Sequence, residues 1–438
     1  MKKLLFFWHN LKSTFWFIPV AIIGLSIIMA FELLYLDKIF HYKPEGVFQY
    51  IFPGSAGAAR SVLSAISGAM ITVAGTVFSI TLVALTLASS QFGPRLLRNF
   101  MHERLNQVVL GTYVSTYVYC LIILNAVRDN DSISFIPTLS VFAAFLATIA
   151  NIILLIIFIH HIAIQIQADY VISDISGMLS KNIEKLFPEE MTLGEVTEKE
   201  PDMPKILDKF DYHMPVLAPK SGYLQFIDPS SLIRKMKEHN QLLILDSRPG
   251  KYLVESMTMG MLYSFKPIQP QELIDLQETI VIGQQRSTDQ DAEFSILQMV
   301  EIAARALSPG VNDPFTAIAC IDNLTSTLCR LTLIKFPSKY RYDDEDQLRI
   351  VAKSLDFDGL INAAFNQIRQ YAAGNPSVLI KLMEALNTLK TFSSREEHQR
   401  AVKRHADMVL RISEESMKEI NDLNDLKERY VPFEESKH

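Results

Sequence analysis

Four long apolar stretches crowd the first part of this chain and limit what it can fold into. A membrane span needs about 20 mostly apolar residues. Candidate spans run from Phe17 to Leu36, Ser61 to Ser90, Leu105 to Val127 and Phe135 to His160. Pro19 sits in the first turn of the first, where a helix tolerates it. The breaker Phe92-Gly93-Pro94 closes the second. Residues 61–90 carry no charge, and residues 16–36 carry only Glu32. Two short connections, Gln91–Arg104 and Arg128–Ser134, join the spans into hairpin-like pairs. Lys2, Lys3 and Lys12 ahead of the first stretch imitate a signal peptide. That stretch is too long for one and ends at Glu32–Asp37 without a small-residue cleavage site, so an uncleaved span is expected.

Lysine and arginine in short loops set the orientation. Lys2, Lys3 and Lys12 precede the first span, and Arg95, Arg98 and Arg104 follow the second. The third loop has Arg128 beside Asp129 and Asp131, and the first loop is mixed. Residues 1–14, 92–104 and 166–438 are therefore expected in the cytoplasm, and 40–58 and 128–134 outside. Both termini are then cytoplasmic. Trp8, Trp16, Tyr35, Tyr42 and Tyr50 suit the interfacial belts.

The second span carries the most information. At helical spacing it presents Ser64, Gly68, Thr72, Gly75, Ser79 and Thr86 on one side. Val62, Ile66, Met70, Val73 and Val77 occupy the other. Small residues let helices pack closely, with Gly75 and Ser79 as a small-xxx-small pair. The same face can line a narrow aqueous path, because hydroxyls replace part of an ion's hydration. Elsewhere in the membrane half, polar groups have plainer explanations. Glu32 lies about one turn from Asp37 and is expected to snorkel to the interface. His160 and His161 point about 100° apart on a helix, which suits interfacial side chains better than one shared ion.

Composition supports the division. The formal net charge of the 438 residues is −6, yet residues 181–215 and 336–438 are rich in Lys, Glu, Asp and Arg. No basic block of the kind that binds nucleic acid is present. Cys120, Cys320 and Cys329 are too sparse for a disulfide framework or a metal site and are expected to be buried.

Past the membrane, a helical pattern continues through Ile175–Phe187, and a charged linker follows. Short apolar runs then alternate with turn signals: Val216-Leu217-Ala218, Gly222–Phe226, Leu242–Leu245 and Tyr252–Val254. Asp228-Pro229-Ser230-Ser231 should cap a short helix, Leu232–His239. This predicts a small β-barrel or sandwich. Its pattern resembles biotinyl and lipoyl carrier modules, and Glu255-Ser256-Met257-Thr258-Met259 imitates their modified hairpin. Thr258 stands where the lysine would be, so no amide-linked cofactor is expected, and no other cofactor is implied.

From about Pro270 the pattern is read as helical to the end. Thr288 or Asp289 is expected to cap one helix, and Asn312-Asp313, with Pro314 at the first turn, another. Arg286, Asp289, Gln290, Asp291, Arg305, Asn312 and Asp313 concentrate polar chemistry beside an apolar helix. Two arginines and a helix N-terminus can hold a small anion. The plainer alternative makes these residues caps and helix braces. No nucleophile elbow, Gly-rich phosphate loop, H-E-x-x-H or paired-His metal motif occurs, so neither catalysis nor a metal is expected.

Four segments together resemble a bacterial family of predicted membrane proteins, known as a domain of unknown function. They are Ser90-Gln91-Phe92-Gly93-Pro94-Arg95, Ser221-Gly222-Tyr223, Arg286–Asp291 and Ala306–Ala317. The resemblance implies four spans and a cytoplasmic domain, and carries over no activity.

The expected architecture is an α-helical membrane protein with a cytoplasmic α+β region. Residues 1–165 form the membrane domain, 166–210 a helical linker, 211–266 the β-module and 267–438 a helical domain. The expected function is a cyclic homo-oligomeric channel or transporter in the bilayer, leaning toward anions and controlled from the cytoplasm. Ser64, Gly68, Thr72, Gly75, Ser79 and Thr86 would line its pore, with Arg95 and Arg98 at the mouth. The alternative is a membrane-anchored scaffold or sensor that binds a partner or small anion through the helical domain.

Overall fold

The structure is a computed structural model that describes residues 16–40, 55–93, 104–130, 133–186, 200–334 and 336–434. Chain contacts divide it into two compact units, Met1–Tyr170 and Val171–His438.

The first unit holds four helices long and apolar enough to cross a membrane: α1 (Phe17–Ile39), α2 (Ala56–Phe92), α3 (Arg104–Ala126) and α4 (Thr138–Gln165). Helix α3 packs against all three others. In hydrocarbon, helices gain little from excluding lipid, so close packing and polar contacts hold them together. Val109, Tyr113, Tyr119, Cys120 and Ile123 of α3 fill the centre with Leu63, Met70 and Val77 of α2 and Ala144 and Phe158 of α4. At Gly111 even a Cβ would come within 2.9 Å of the Pro19 Cα on α1.

The ends of the spans depart from the apolar runs for identifiable reasons. Helix α2 begins at Ala56 because the Ser55 side chain accepts from the Ala58 amide. It ends at Phe92, where Gly93 takes φ +104. Helix α4 begins at Thr138 rather than Phe135, because Arg128–Asn130 (β1) and Ile133–Phe135 (β2) pair as antiparallel strands. The start of α4 is held by Asp37 of α1, which accepts from the Leu139 and Ser140 amides at 2.8 and 3.0 Å.

The second unit begins with α5 (Ala168–Leu186), whose Val171, Ile175 and Leu179 are buried, and the short α6 (Met203–Leu207). Strands β3 (Tyr212–Leu217), β4 (Gly222–Ile227), β5 (Leu242–Leu245) and β6 (Tyr252–Leu253) overlap the four predicted apolar runs, and β7 (Thr258–Ser264) adds a fifth strand. Helix α7 (Pro229–Glu238) interrupts them, capped by Asp228 through the Ser231 amide.

These strands do not close a barrel. They join β8 (Ile280–Gly283), β9 (Tyr340–Tyr342) and β10 (Leu348–Ala352) in two open sheets, a five-stranded β3-β7-β5-β10-β9 and a three-stranded β6-β4-β8. Only β5 and β10 run parallel in these two sheets. The expectation of an all-helical region after residue 270 is thereby corrected. A barrel of 211–266 alone would leave β5 without its second neighbour, and β10 supplies that neighbour from far along the chain. Leu224, Leu243, Leu262, Ile282 and Ile350, with Leu232 and Met236 of α7, share one apolar core between the sheets.

Six further helices follow or interleave: α8 (Pro270–Gln277), α9 (Ala292–Ala306), α10 (Pro314–Leu333), α11 (Phe357–Tyr371), α12 (Pro376–Phe392) and α13 (Glu396–Ser416). A last helix, α14, spans Ile420–Glu434. Among the described residues of this unit, five starts carry a proline in the first turn, at Pro204, Pro229, Pro270, Pro314 and Pro376, where the missing N–H costs nothing. Helix α9 packs on α10 and α11, and α12 packs on α10, α13 and α14. Their facing positions, among them Ile296, Met299, Leu324, Leu360, Leu382 and Leu386, are buried.

Candidate functional site

Helix α2 buries one stripe of side chains and leaves much of its remaining surface open, including the bulky Val62, Ile71, Phe78, Leu82, Val83 and Leu87. Leu63, Ile66, Met70, Ala74 and Val77 are buried, whereas Ser64, Gly68, Thr72, Gly75, Ser79 and Thr86 are all exposed on the protomer. A Cβ added at Gly68 or Gly75 would meet nothing within 4 Å. The small face therefore does not pack against the other three spans. Its threonines donate to backbone carbonyls one turn back: Thr72 to Gly68 at 2.8 Å, Thr86 to Leu82 at 2.9 Å. The protons of these two threonine hydroxyls are thus occupied, and their oxygen lone pairs are what they offer outward. Arg95 and Arg98 lie outside the described residues.

Polar groups missed in the sequence occupy the interior of this unit. Asn151 donates to the Thr116 hydroxyl at 2.8 Å, and the Tyr113 hydroxyl donates to the Asn151 carbonyl at 2.6 Å. Tyr119 donates to the Ser140 carbonyl, and Ser26 to that of Ser115. Every one of these bonds crosses between helices or fastens one to another. They read as braces, since each donor finds an acceptor in a medium without water.

The polar signature of the second unit splits in two. Asp291, not Thr288 or Asp289, caps α9, accepting from the Phe294 amide at 3.1 Å. Its second oxygen takes the Arg286 guanidinium at 2.6 Å from Nη2 and 2.8 Å from Nε. The Asp291 side chain is 1% exposed. Burial pushes its carboxyl pKa up, and Arg286 pulls against that shift. Gly250, at φ +93, lies directly against this pair. Arg286 also stacks 5.2 Å over the Phe294 ring. Gln290 clamps strand β4, its amide both accepting from and donating to the Ile227 backbone at 2.9 Å. Asp289 is exposed and takes the Ser287 hydroxyl.

Arg305, Asn312 and Asp313 sit at the other end of α9. That helix places them roughly 20 Å from Asp291 at about 1.5 Å per residue. Arg305 faces Glu301 at 3.9 Å. Asn312 adopts φ +49 in the turn, and Asp313 caps α10 through the Thr316 amide at 3.1 Å. The seven polar residues therefore do not form one group, although Arg286 does reach Asp291. Both groups instead act as caps and braces, with Arg286 fully engaged by Asp291. Among the described residues no group of three or more His, Cys, Asp or Glu side chains is placed to hold a metal.

One concave site stands out in the second unit. A cleft of about 200 Å³ opens where β5 and β10 end, and it includes Ser247, Arg248, Arg341 and Lys353. Of the residues singled out in the sequence, only Gln290 reaches it. Arg341 escaped notice because the sequence beyond Pro270 reads as helical, while its position on an edge strand depends on pairing with β10.

Comparison with known proteins agrees with the architecture. The family model described as Predicted membrane protein (DUF2254) matches residues 12–388. An uncharacterized protein of Mycobacterium bovis is 32% identical over 344 residues, covering 77% of this chain. Uncharacterized proteins of two Mycobacterium tuberculosis strains match to the same extent. The chain covers 65% of the length of these relatives. No solved structure matches.

Proposed function

The chain belongs to the DUF2254 family of predicted membrane proteins, and within that frame we propose that it is a homo-oligomeric channel or transport protein. In this reading it lies in a bacterial inner membrane with both termini cytoplasmic, surrounded by lipid and by copies of itself. The pathway follows the symmetry axis, lined by Ser64, Gly68, Thr72, Gly75, Ser79 and Thr86. Arg95 and Arg98 ring the cytoplasmic mouth, and the second unit controls opening. No catalytic step is involved.

One observation carries the proposal: the small, hydroxyl-bearing face of α2 is exposed on the protomer, and the stripe Leu63, Ile66, Met70, Ala74 and Val77 packs inward. Four spans offer little room for water inside one protomer, so a shared axis is the natural place for a path. Closed cyclic symmetry is the common outcome for homo-oligomers. The length of α2 also suits an axial role. Its 37 residues extend about 55 Å at 1.5 Å each, well beyond a hydrocarbon core of about 30 Å. Because the threonine protons are spent on backbone carbonyls, any anion preference must come from the arginines at the mouth.

Ion flux through purified protein in liposomes tests the reading. Thr72→Leu and Ser79→Leu should reduce flux with the oligomer intact. Arg95→Glu with Arg98→Glu should shift selectivity toward cations. Full flux in the leucine variants, or none in the parent protein, would sink the channel.

A further inference from the structure

Strands β5 and β10 are parallel neighbours, paired from Leu243–Ile350 to Leu245–Ala352. Beyond those carboxyl ends the chain turns apart. Ser247 and Arg248 follow one strand, Lys353 and Ser354 the other, and the cleft of about 200 Å³ lies between them. Parallel strands that diverge at their carboxyl ends leave this kind of crevice, and ligands commonly occupy it. Edge strand β9 adds Arg341.

The lining is one-sided in charge. It contains Arg248, Arg341 and Lys353 and no carboxylate. Glu293 neutralises Arg248. Among the described residues no carboxylate lies within ion-pairing distance of Arg341 or Lys353, and Arg341 has no hydrogen-bond partner. Burial pushes the Arg341 pKa down, with nothing nearby to offset it. Ser247 is 2% exposed, and its hydroxyl has no partner. An orphaned buried hydroxyl costs stability unless something else satisfies it, and the half-buried Arg341 guanidinium is left available beside it. Gln290 cannot serve, since the Ile227 backbone already holds its amide.

We propose that this cleft binds a small soluble phosphate monoester. Two unneutralised cations match the charge of such a group, which approaches −2 near neutral pH. The Arg341 fork can take two phosphate oxygens at once. The Ser247 hydroxyl donates to a third. Leu232, Leu245 and Ile350 form an apolar wall for the organic part of the ester. The volume is below the 300 Å³ or so at which drug-sized sites begin, so the occupant is a small metabolite, and a carboxylate would leave one cation unmatched. The site stands independently of any pore.

Full-length protein in detergent, held at constant ionic strength, provides the test. Unfolding of the second unit and isothermal titration are followed with glycerol 3-phosphate, inorganic phosphate, butyrate and a short-chain phosphatidate. Glycerol 3-phosphate should bind and raise Tm more than inorganic phosphate, and butyrate should do neither. Arg341→Gln should weaken binding roughly tenfold or more, and Ser247→Ala several-fold. Both variants should keep or raise the unliganded Tm, because Ser247→Ala removes an unsatisfied buried group and Arg341→Gln breaks no ion pair or hydrogen bond among the described residues. A mere structural role would lower it. Should Arg341→Gln fail to fold, Arg341→Lys retains charge without the fork and must still weaken binding. Lys205→Gln, outside the cleft, should bind normally. Absence of any shift with both water-soluble phosphates, equal binding of butyrate, response to phosphatidate alone, or undiminished binding by the Arg341 variants would overturn the assignment.

Discussion

The Asp37 carboxylate accepts the Ser140 hydroxyl at 2.6 Å, tying the last turns of the first span to the first turn of the fourth. The same carboxylate takes two backbone amides of α4. A negative charge thus meets the positive end of a helix, and three donors are satisfied by one side chain. Asp37 is only 6% exposed, so an apolar replacement would leave those amides without water as well as without a cap.

Asp37→Ala is accordingly expected to destabilise the membrane unit by about 1–2 kcal/mol, the usual cost of a lost cap. Ser140→Ala, which removes one donor and leaves the amide contacts, should cost less. Thermal unfolding in detergent, followed by tryptophan fluorescence or circular dichroism, measures both. Equal stability of Asp37→Ala and the parent protein would show that the cap is idle.

Two glycines of the spans should respond in opposite ways to the same change. Gly111→Leu places side-chain atoms where the Pro19 backbone already stands at 2.9 Å, so the α1–α3 contact must open and the protomer lose stability. Gly75→Leu meets nothing within 4 Å and should leave both protomer and oligomer intact while reducing flux. Size-exclusion chromatography with light scattering, alongside melting curves and liposome flux, separates the outcomes.

Gly250→Ala should damage the second unit disproportionately. An alanine at φ +93 is strained, and its Cβ would collide with the Asp291 carboxylate and the Arg286 guanidinium. The strain alone is worth about 1 kcal/mol, and disrupting a buried ion pair adds more. Asp291→Asn retains a cap but removes the charge partner of Arg286, and a double-mutant cycle with Gly250→Ala should show strong coupling. Simple additivity of the two changes would contradict the contact.

Acid should weaken the helical part through His405. Its Nε2 lies 3.0 Å from the Asn362 Oδ1, and the ring is buried. Burial, aided by Arg404 and Arg369 and opposed by Asp358, lowers its pKa from 6.5 to about 4. The unfolded chain therefore binds the extra proton first as pH falls. Stability is fully present above about 6.5 and declines toward 4, by about 3 kcal/mol in total for a shift of this size. His405→Gln should flatten the Tm profile over that window. An unchanged acid slope in the variant would assign the effect elsewhere.

The legible and illegible parts of this sequence follow from the range of the interactions involved. Apolar runs gave the four spans because a helix in hydrocarbon satisfies its own backbone, whatever its neighbours. Helix α4 starts three residues beyond the expected Phe135 because Ile133–Phe135 pairs as a strand and Asp37, a distant side chain, holds the new start. Leu348–Ala352 was read as helical, and only pairing with Leu243–Leu245 makes it a strand. Arg286 and Asp313 were grouped by closeness in sequence, yet the rigid helix from Ala292 to Ala306 holds them apart. The division of α2 into a small and a bulky face was visible in periodicity. Which face turns inward was not, since that depends on what α3 and α4 present.

The pairing of β10 with β5 also has a consequence in time. Leu243 finds its partner only when Ile350 has been made, after the whole of α9 and α10 has left the ribosome. At about 5–20 residues per second, the edge of β5 stays open for roughly 5 to 20 seconds. An apolar strand, Leu242-Leu243-Ile244-Leu245, is then a template for any passing chain. A nascent protein that stalls before Ala352 would carry that raw edge, which makes the interval before the sheet is completed the period when chaperones matter most.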